Sequence, residues 1–210
     1  MKIFLTVLLL SMSVFSALPE NETTSFDAQY KLAKNINLPM SSRWKALLQA
    51  SEIAEGDQLA KVMAFSKDKD WFMRNALLVA LDKMGTDIVY DRAKELLTDK
   101  SLVVRSAAAD ILIRLNNTDV RRIFSEELSK KYNFNGSASL WIRPQMLKHL
   151  AENPSAEERG FFVQILHEKD QQMASISTQA LEKLTGIRFS GKTNSEIISQ
   201  WKSYAAQKKW

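Results

Sequence analysis

Cysteine is absent from the 210-residue chain. Disulfides and thiolate metal ligands are therefore excluded, and the fold must rest on core burial alone. About 190 residues outside the leader can do this as one domain. Only six glycines and four prolines are present, which fits a helical protein with short connections. Alternating apolar and polar stretches are missing too, so no strand is expected. The two histidines, His149 and His167, fall on different elements, and neither has a cysteine partner. His149 occupies a packing position of its helix, as a core or groove-edge residue, and His167 stands beside Glu168 at a helix end. A basic excess exists, with net charge +5, but lysine and glutamate are interleaved along the chain. Scattered cations of this kind do not make the clustered stripe of a nucleic-acid binder.

Long apolar runs are also lacking, with one exception. "MKIFLTVLLLSMSVFSA" has one lysine, an apolar stretch from Ile3 to Leu10, then small residues. That order is expected of a secretory signal peptide, and the stretch is shorter than the ~20 residues of a bilayer-spanning helix; its alternative is an uncleaved N-terminal anchor. Cleavage after Ser16 places Val14 and Ser16 at the small-residue positions, whereas cleavage after Ala17 would place Phe15 there. The expected organisation is a signal peptide over 1–16, a lead-in segment over 17–40, a helical domain over 41–186, and a C-terminal loop and helix over 187–210. The mature chain is expected to be secreted or periplasmic. Sequons at Asn21, Asn116 and Asn135 carry meaning only in a eukaryotic source.

The helical domain repeats. "DKDWFMRNALLVALDKMGT" returns 31 residues later as "DKSLVVRSAAADILIRLNNT". Met73 falls on Val104, Arg74 on Arg105, Ala76 on Ala107, Ala80 on Ile111, Leu81 on Leu112 and Met84 on Leu115. Upstream, Phe65 falls on Leu96 and Asp68 on Asp99. Apolar residues at steps of three and four define helices. "LWIRPQMLKHLAEN" continues the frame with Arg143 and Leu150, and "QQMASISTQALEKLTG" with Met173, Ala180 and Leu181. An earlier copy, "SSRWKALLQASEIAEG", has Ala46 and Ala50 at the small positions, with Ser41 or Ser42 as its cap. Partner helices are expected near 57–66, 87–97, 118–131 and 155–167, the last opened by a Ser155/Glu158 capping box. A single helix pair cannot bury its apolar face, so the pairs must stack.

This pattern resembles the HEAT repeats in their compact bacterial form, on the strength of Asp68…Arg74 and Asp99…Arg105, each followed by an alanine/leucine stripe. The resemblance implies an all-α, right-handed α-solenoid of about five helix pairs. It also implies a ladder in which each turn aspartate pairs with an arginine of its own or the adjacent repeat, through Asp68, Arg74, Asp99, Arg105 and Arg143. Ser137 stands where the third aspartate is expected, and Glu168 with Ala174 is expected to end the ladder. The C-terminal "LTGIRFSGKTNSEIISQWKSYAAQKKW" resembles the closing segment of exported HEAT-like proteins. It reads as a cap, with Ser195 starting a helix that carries Ile197, Ile198, Trp201 and Tyr204.

Catalytic patterns are not evident. Gly186 to Thr193 matches a phosphate-loop spacing literally, but such a loop follows a buried strand, and here a helix ends at Leu184 or Thr185. Adjacent carboxylates such as Glu157/Glu158 point about 100° apart on a helix and share no site. No cofactor and no metal is expected.

What is left is a binding surface. With Met73, Ala76, Leu77, Ala80, Leu81 and Met84 buried, the outward rows run Val79, Asp110, Lys148, Gln179 and Asp82, Ile113, Ala151, Glu182, with Arg114 alongside. Their mixed charge suits a protein partner better than a polyanion. A second surface is the lengthened "KKYNFNGSASLW", which stretches the Arg105-to-Arg143 step to 38 residues and offers Tyr132, Phe134 and Trp141. Trp71 and Trp141, near starts of inner helices, are expected as buried anchors. The resulting expectation is a monomeric, exported, non-enzymatic scaffold or adaptor that grips another protein on a concave face. Its alternative is nucleic-acid or cofactor-directed work on the same fold.

Overall fold

The computed structural model describes residues 25–210, the side chains of 86 and 87 excepted. The signal pattern, its cleavage point and the Asn21 sequon lie outside them. The described chain is all-α apart from one small hairpin, with eleven α-helices. In order these are α1 (Phe26–Lys34), α2 (Met40–Glu52), α3 (Asp57–Met63), α4 (Trp71–Met84), α5 (Thr86–Leu96), α6 (Leu102–Leu115), α7 (Val120–Glu127), α8 (Ile142–Glu152), α9 (Arg159–Leu166), α10 (Gln171–Thr185) and α11 (Asn194–Lys208). No described helix is long and apolar enough to cross a membrane.

Every second helix packs on the next of its kind: α2 on α4, α4 on α6, α6 on α8, and α8 on α10. The remaining helices lie against this inner row. α1 rests on α2, α5 on α4 and α6, α7 on α8, and α9 on α10, while α11 covers α9 and α10 at the end. The apolar stripe explains the choice of faces. Leu47, Leu77, Leu81, Leu112, Leu147, Leu150 and Leu181 are buried, and Ala46, Ala50, Ala76, Ala80 and Ala180 beside them let neighbouring helices approach. Each leucine so removed from water contributes about 1.5–3 kcal/mol. Of the six positions expected to be buried on α4, Met84 is half-buried instead.

Helix ends follow local chemistry. The Asp170 carboxylate accepts from the N–H groups of Gln172 and Met173, and Ser155 with Glu158 forms the expected box. That box opens a 3-10 turn ahead of α9. Two expected caps are displaced: α2 begins after Pro39, not at Ser41 or Ser42, and Thr193, not Ser195, caps α11. The lead-in segment contains α1. The hairpin pairs Phe134 with Ser139 and Asn135 with Ala138, a correction to the strand-free expectation. Gly136 has φ 62, which its two-residue turn requires and which glycine adopts without strain. Two residues per strand are too few for an alternation to register.

Candidate functional site

Arginines at the starts of the inner helices tie each pair to the next turn. The Arg74 guanidinium donates to both Asp99 oxygens, at 2.5 and 2.7 Å, and to the Asp68 carbonyl at 2.7 Å. Both side chains are almost wholly buried, 4% and 6% exposed. The hydrogen bonds from Arg74 to Asp99 stabilise its charge and raise its pKa. Arg143 grips Glu168 through two bonds of 2.9 Å and the Leu128 carbonyl at 2.8 Å. Arg43 holds Asp70 at 2.6 Å, lies 3.8 Å from Asp68, and donates to the Ala33 carbonyl.

Arg105 departs from the expectation that it pairs with an aspartate. It makes no ion pair within the described residues. It donates to the Asn133 side-chain oxygen at 3.1 Å and to the carbonyls of Tyr132 at 2.6 Å and Asp99 at 2.7 Å. The Asp99 carboxylate is already taken by Arg74. Asn133, not Ser137, is the polar partner from the next turn, and an uncharged one. Burial consequently lowers the Arg105 pKa. At the ladder's end, Glu168 is the acceptor of Arg143. Ala174 stands at the arginine position of α10, which therefore supplies no donor.

The outward rows of the inner helices are joined to one another. Arg114 pairs with Asp82 at 2.6 Å, Lys83 with Glu52 at 3.3 Å, and Gln145 donates to Asp110 at 2.6 Å. Lys183 donates to the carbonyls of Ala151 and Glu152, and Arg188 pairs with Glu182. Val79, Lys148 and Gln179 are exposed and Ile113 is half-buried. The Lys148 ammonium has no ion pair within the described residues. Beside it, Lys148, Ala151, Glu152, Ile176, Gln179 and Lys183 line a crevice of about 220 Å³ between α8 and α10. Three residues of the sequence-derived rows, Lys148, Ala151 and Gln179, thus share one concavity, while Asp82, Asp110, Arg114 and Glu182 are held by neighbours.

In the lengthened connection, the Tyr132 hydroxyl donates to Glu127, and burial, then this bond, raises its pKa. Phe134 lies under the Arg143 guanidinium, 4.0 Å from ring centre to cation. Trp141 is 57% exposed and Trp71 43%, contrary to the burial expected of both. They sit at the N-terminal ends of α8 and α4.

His149 is buried edge-on against Phe124, 5.6 Å between centres, and neither ring nitrogen has a hydrogen-bond partner. Burial lowers its pKa, favouring the neutral ring. Gly186 follows α10, a helix, in a left-handed conformation with φ 71. Downstream, the Lys192 N–H donates to the Glu196 carboxylate at 2.7 Å, and a side chain at Gly191 would meet Glu196 at 2.9 Å. A carboxylate thus occupies the amide that a phosphate would need. Among the described residues, no group of three or more histidines, aspartates or glutamates is placed to hold a metal ion.

These features define an all-α protein of consecutive helix pairs, bound at their turns by buried arginines. No family model, curated protein or solved structure matches the chain.

Proposed function

We propose that the chain is a right-handed, HEAT-like α-solenoid of five helix pairs with α11 as its cap, exported to the periplasm or beyond the cell. It acts without catalysis, as a scaffold or adaptor that binds another protein on the concave face of α4, α6, α8 and α10. The 31-residue recurrence and the packing of each inner helix on the next support the solenoid reading. One observation carries the binding reading: the α8–α10 crevice, where unpaired Lys148 and exposed Gln179 meet half-apolar walls. Most other charges on this face are spent between helices, which leaves a pre-organised surface whose Lys148, among the described residues, is an unpaired cation at its concavity. A partner segment presenting a carboxylate to Lys148 suits it.

The test is affinity capture from native envelope extract with wild type and with Lys148→Glu/Gln179→Glu. A protein retained by wild type should bind the variant about tenfold or more weakly, a change of roughly 1.4 kcal/mol. Retention of the same proteins on both surfaces would remove the crevice as the site.

A further inference from the structure

We infer that the edge formed by the helix-pair turns is a docking surface for the anionic headgroups of a phospholipid membrane. The arginine rungs set the turns side by side. Arg43 reaches 68–70, Arg74 reaches Asp99, Arg105 reaches 132–133 and Arg143 reaches Glu168. Along this line stand Lys67, Lys69, Lys100, Lys130, Lys131 and Lys169, all exposed. None of their ammonium groups makes an ion pair within the described residues, although the sequence offers carboxylates nearby. Those carboxylates are occupied: Asp68 and Asp70 face Arg43, Asp99 holds Arg74, Glu168 holds Arg143, and Asp170 caps α10. The buried rungs neutralise one another and leave the lysines as the edge's uncompensated charge. The N-terminal ends of the inner helices add partial positive charge on the same side.

Apolar side chains are interleaved with these cations. Each of the first four inner helices has one that is exposed within a residue of its start: Met40, Trp71, Val103 and Trp141. Ile36 precedes Met40 in the first turn and is also exposed. Tryptophan favours the membrane–water interface, and lysines near an anionic leaflet each add about 1 kcal/mol of attraction, about fivefold in partition. A single-stranded nucleic acid would also accept lysine and tryptophan. It would offer nothing to Ile36, Met40 and Val103, and the arginines able to grip phosphate bidentately are sealed in the rungs. The lipid surface therefore accounts for more of the edge.

The experiment is co-sedimentation of the full chain with vesicles of phosphatidylglycerol mixed with phosphatidylcholine, and with phosphatidylcholine alone. Wild type should favour the anionic vesicles. Lys69→Glu/Lys100→Glu/Lys131→Glu should lower that partition by about a hundredfold or more. Lys202→Glu/Lys208→Glu/Lys209→Glu, with the same change in net charge away from the edge, should retain most of it. Brominated lipid should quench wild-type tryptophan fluorescence and lose most of that effect on Trp71→Ser/Trp141→Ser, whose circular dichroism reports retained helix. Equal losses in the two lysine variants would overturn the proposal. So would wild-type binding to an oligonucleotide with no preference for anionic vesicles, which would assign the edge to nucleic acid.

Discussion

Asp99→Ala is expected to destabilise the protein by about 3–5 kcal/mol, because it leaves the Arg74 guanidinium buried without its counter-charge. The melting temperature should fall on the order of 10 °C for a chain of this size. Asp99 does three things at once. Its carboxylate takes two bonds from Arg74, one oxygen also accepts the Ser101 N–H at 2.7 Å, and its carbonyl receives Arg105. Alanine keeps only the carbonyl. Arg74→Met/Asp99→Leu, which removes both charges and fills the space, should recover most of the loss, since desolvating a buried pair consumes much of its attraction. Urea titration of wild type, the single variant and the double variant measures this. A single-variant change below about 0.5 kcal/mol, the range of ordinary surface substitutions, would mean the rung is not a buried pair.

The second large effect is expected at the far end of the chain. Trp201→Ala should cost about 3–5 kcal/mol, the range for deleting a buried aromatic side chain. Trp201 is fully buried on α11, edge-on to Phe189 at 5.0 Å and to Tyr204 at 6.0 Å. Tyr204 in turn meets Trp210 at 5.4 Å. The loss would also loosen α11 from α9 and α10 and expose apolar surface at the open end of the array, as an uncapped terminal repeat does. An environment-sensitive dye should therefore bind the variant below its melting temperature, and Trp201→Phe should restore most of the stability. A variant that melts like wild type would show that α11 covers nothing of consequence.

The rungs show what was legible in the sequence and what was not. The step from Arg74 to Arg105 marks the inner helices, and their boundaries over 71–84 and 102–115 follow from it because apolar periodicity and repeat spacing agree there. The same step applied backwards reaches Arg43, a rung that was missed because Asn37 stands where the motif has an aspartate six residues before the arginine. Asn133 was missed because it is not an acid and lies 28 residues beyond Arg105, where the acceptors of Arg74 and Arg143 lie 25 away. The lysine edge was missed for a different reason. Lys69, Lys100 and Lys131 recur at the 31-residue step, yet along the chain Lys69 and Lys100 adjoin aspartates. Only the folded turns show those acids engaged with arginines and the lysines left over. Exposure of Trp71 and Trp141 was likewise invisible, since an aromatic at a helix start reads the same whether a neighbour covers it or not.

The central claim is that these helix pairs form a modular array in which each contacts its neighbours, and removal of one period tests it most directly. Deleting residues 74–104 joins Met73 to Arg105, so the new inner helix keeps the frame of both parents. Arg105 then inherits the Asp68 carbonyl in place of that of Asp99 and keeps Tyr132 and Asn133. A modular array predicts a soluble, helical chain that still unfolds cooperatively on heating, followed by circular dichroism. Deleting 74–101 breaks the register and should abolish that transition. If both shortened chains are equally unfolded, the helix pairs are not interchangeable units and the account is contradicted.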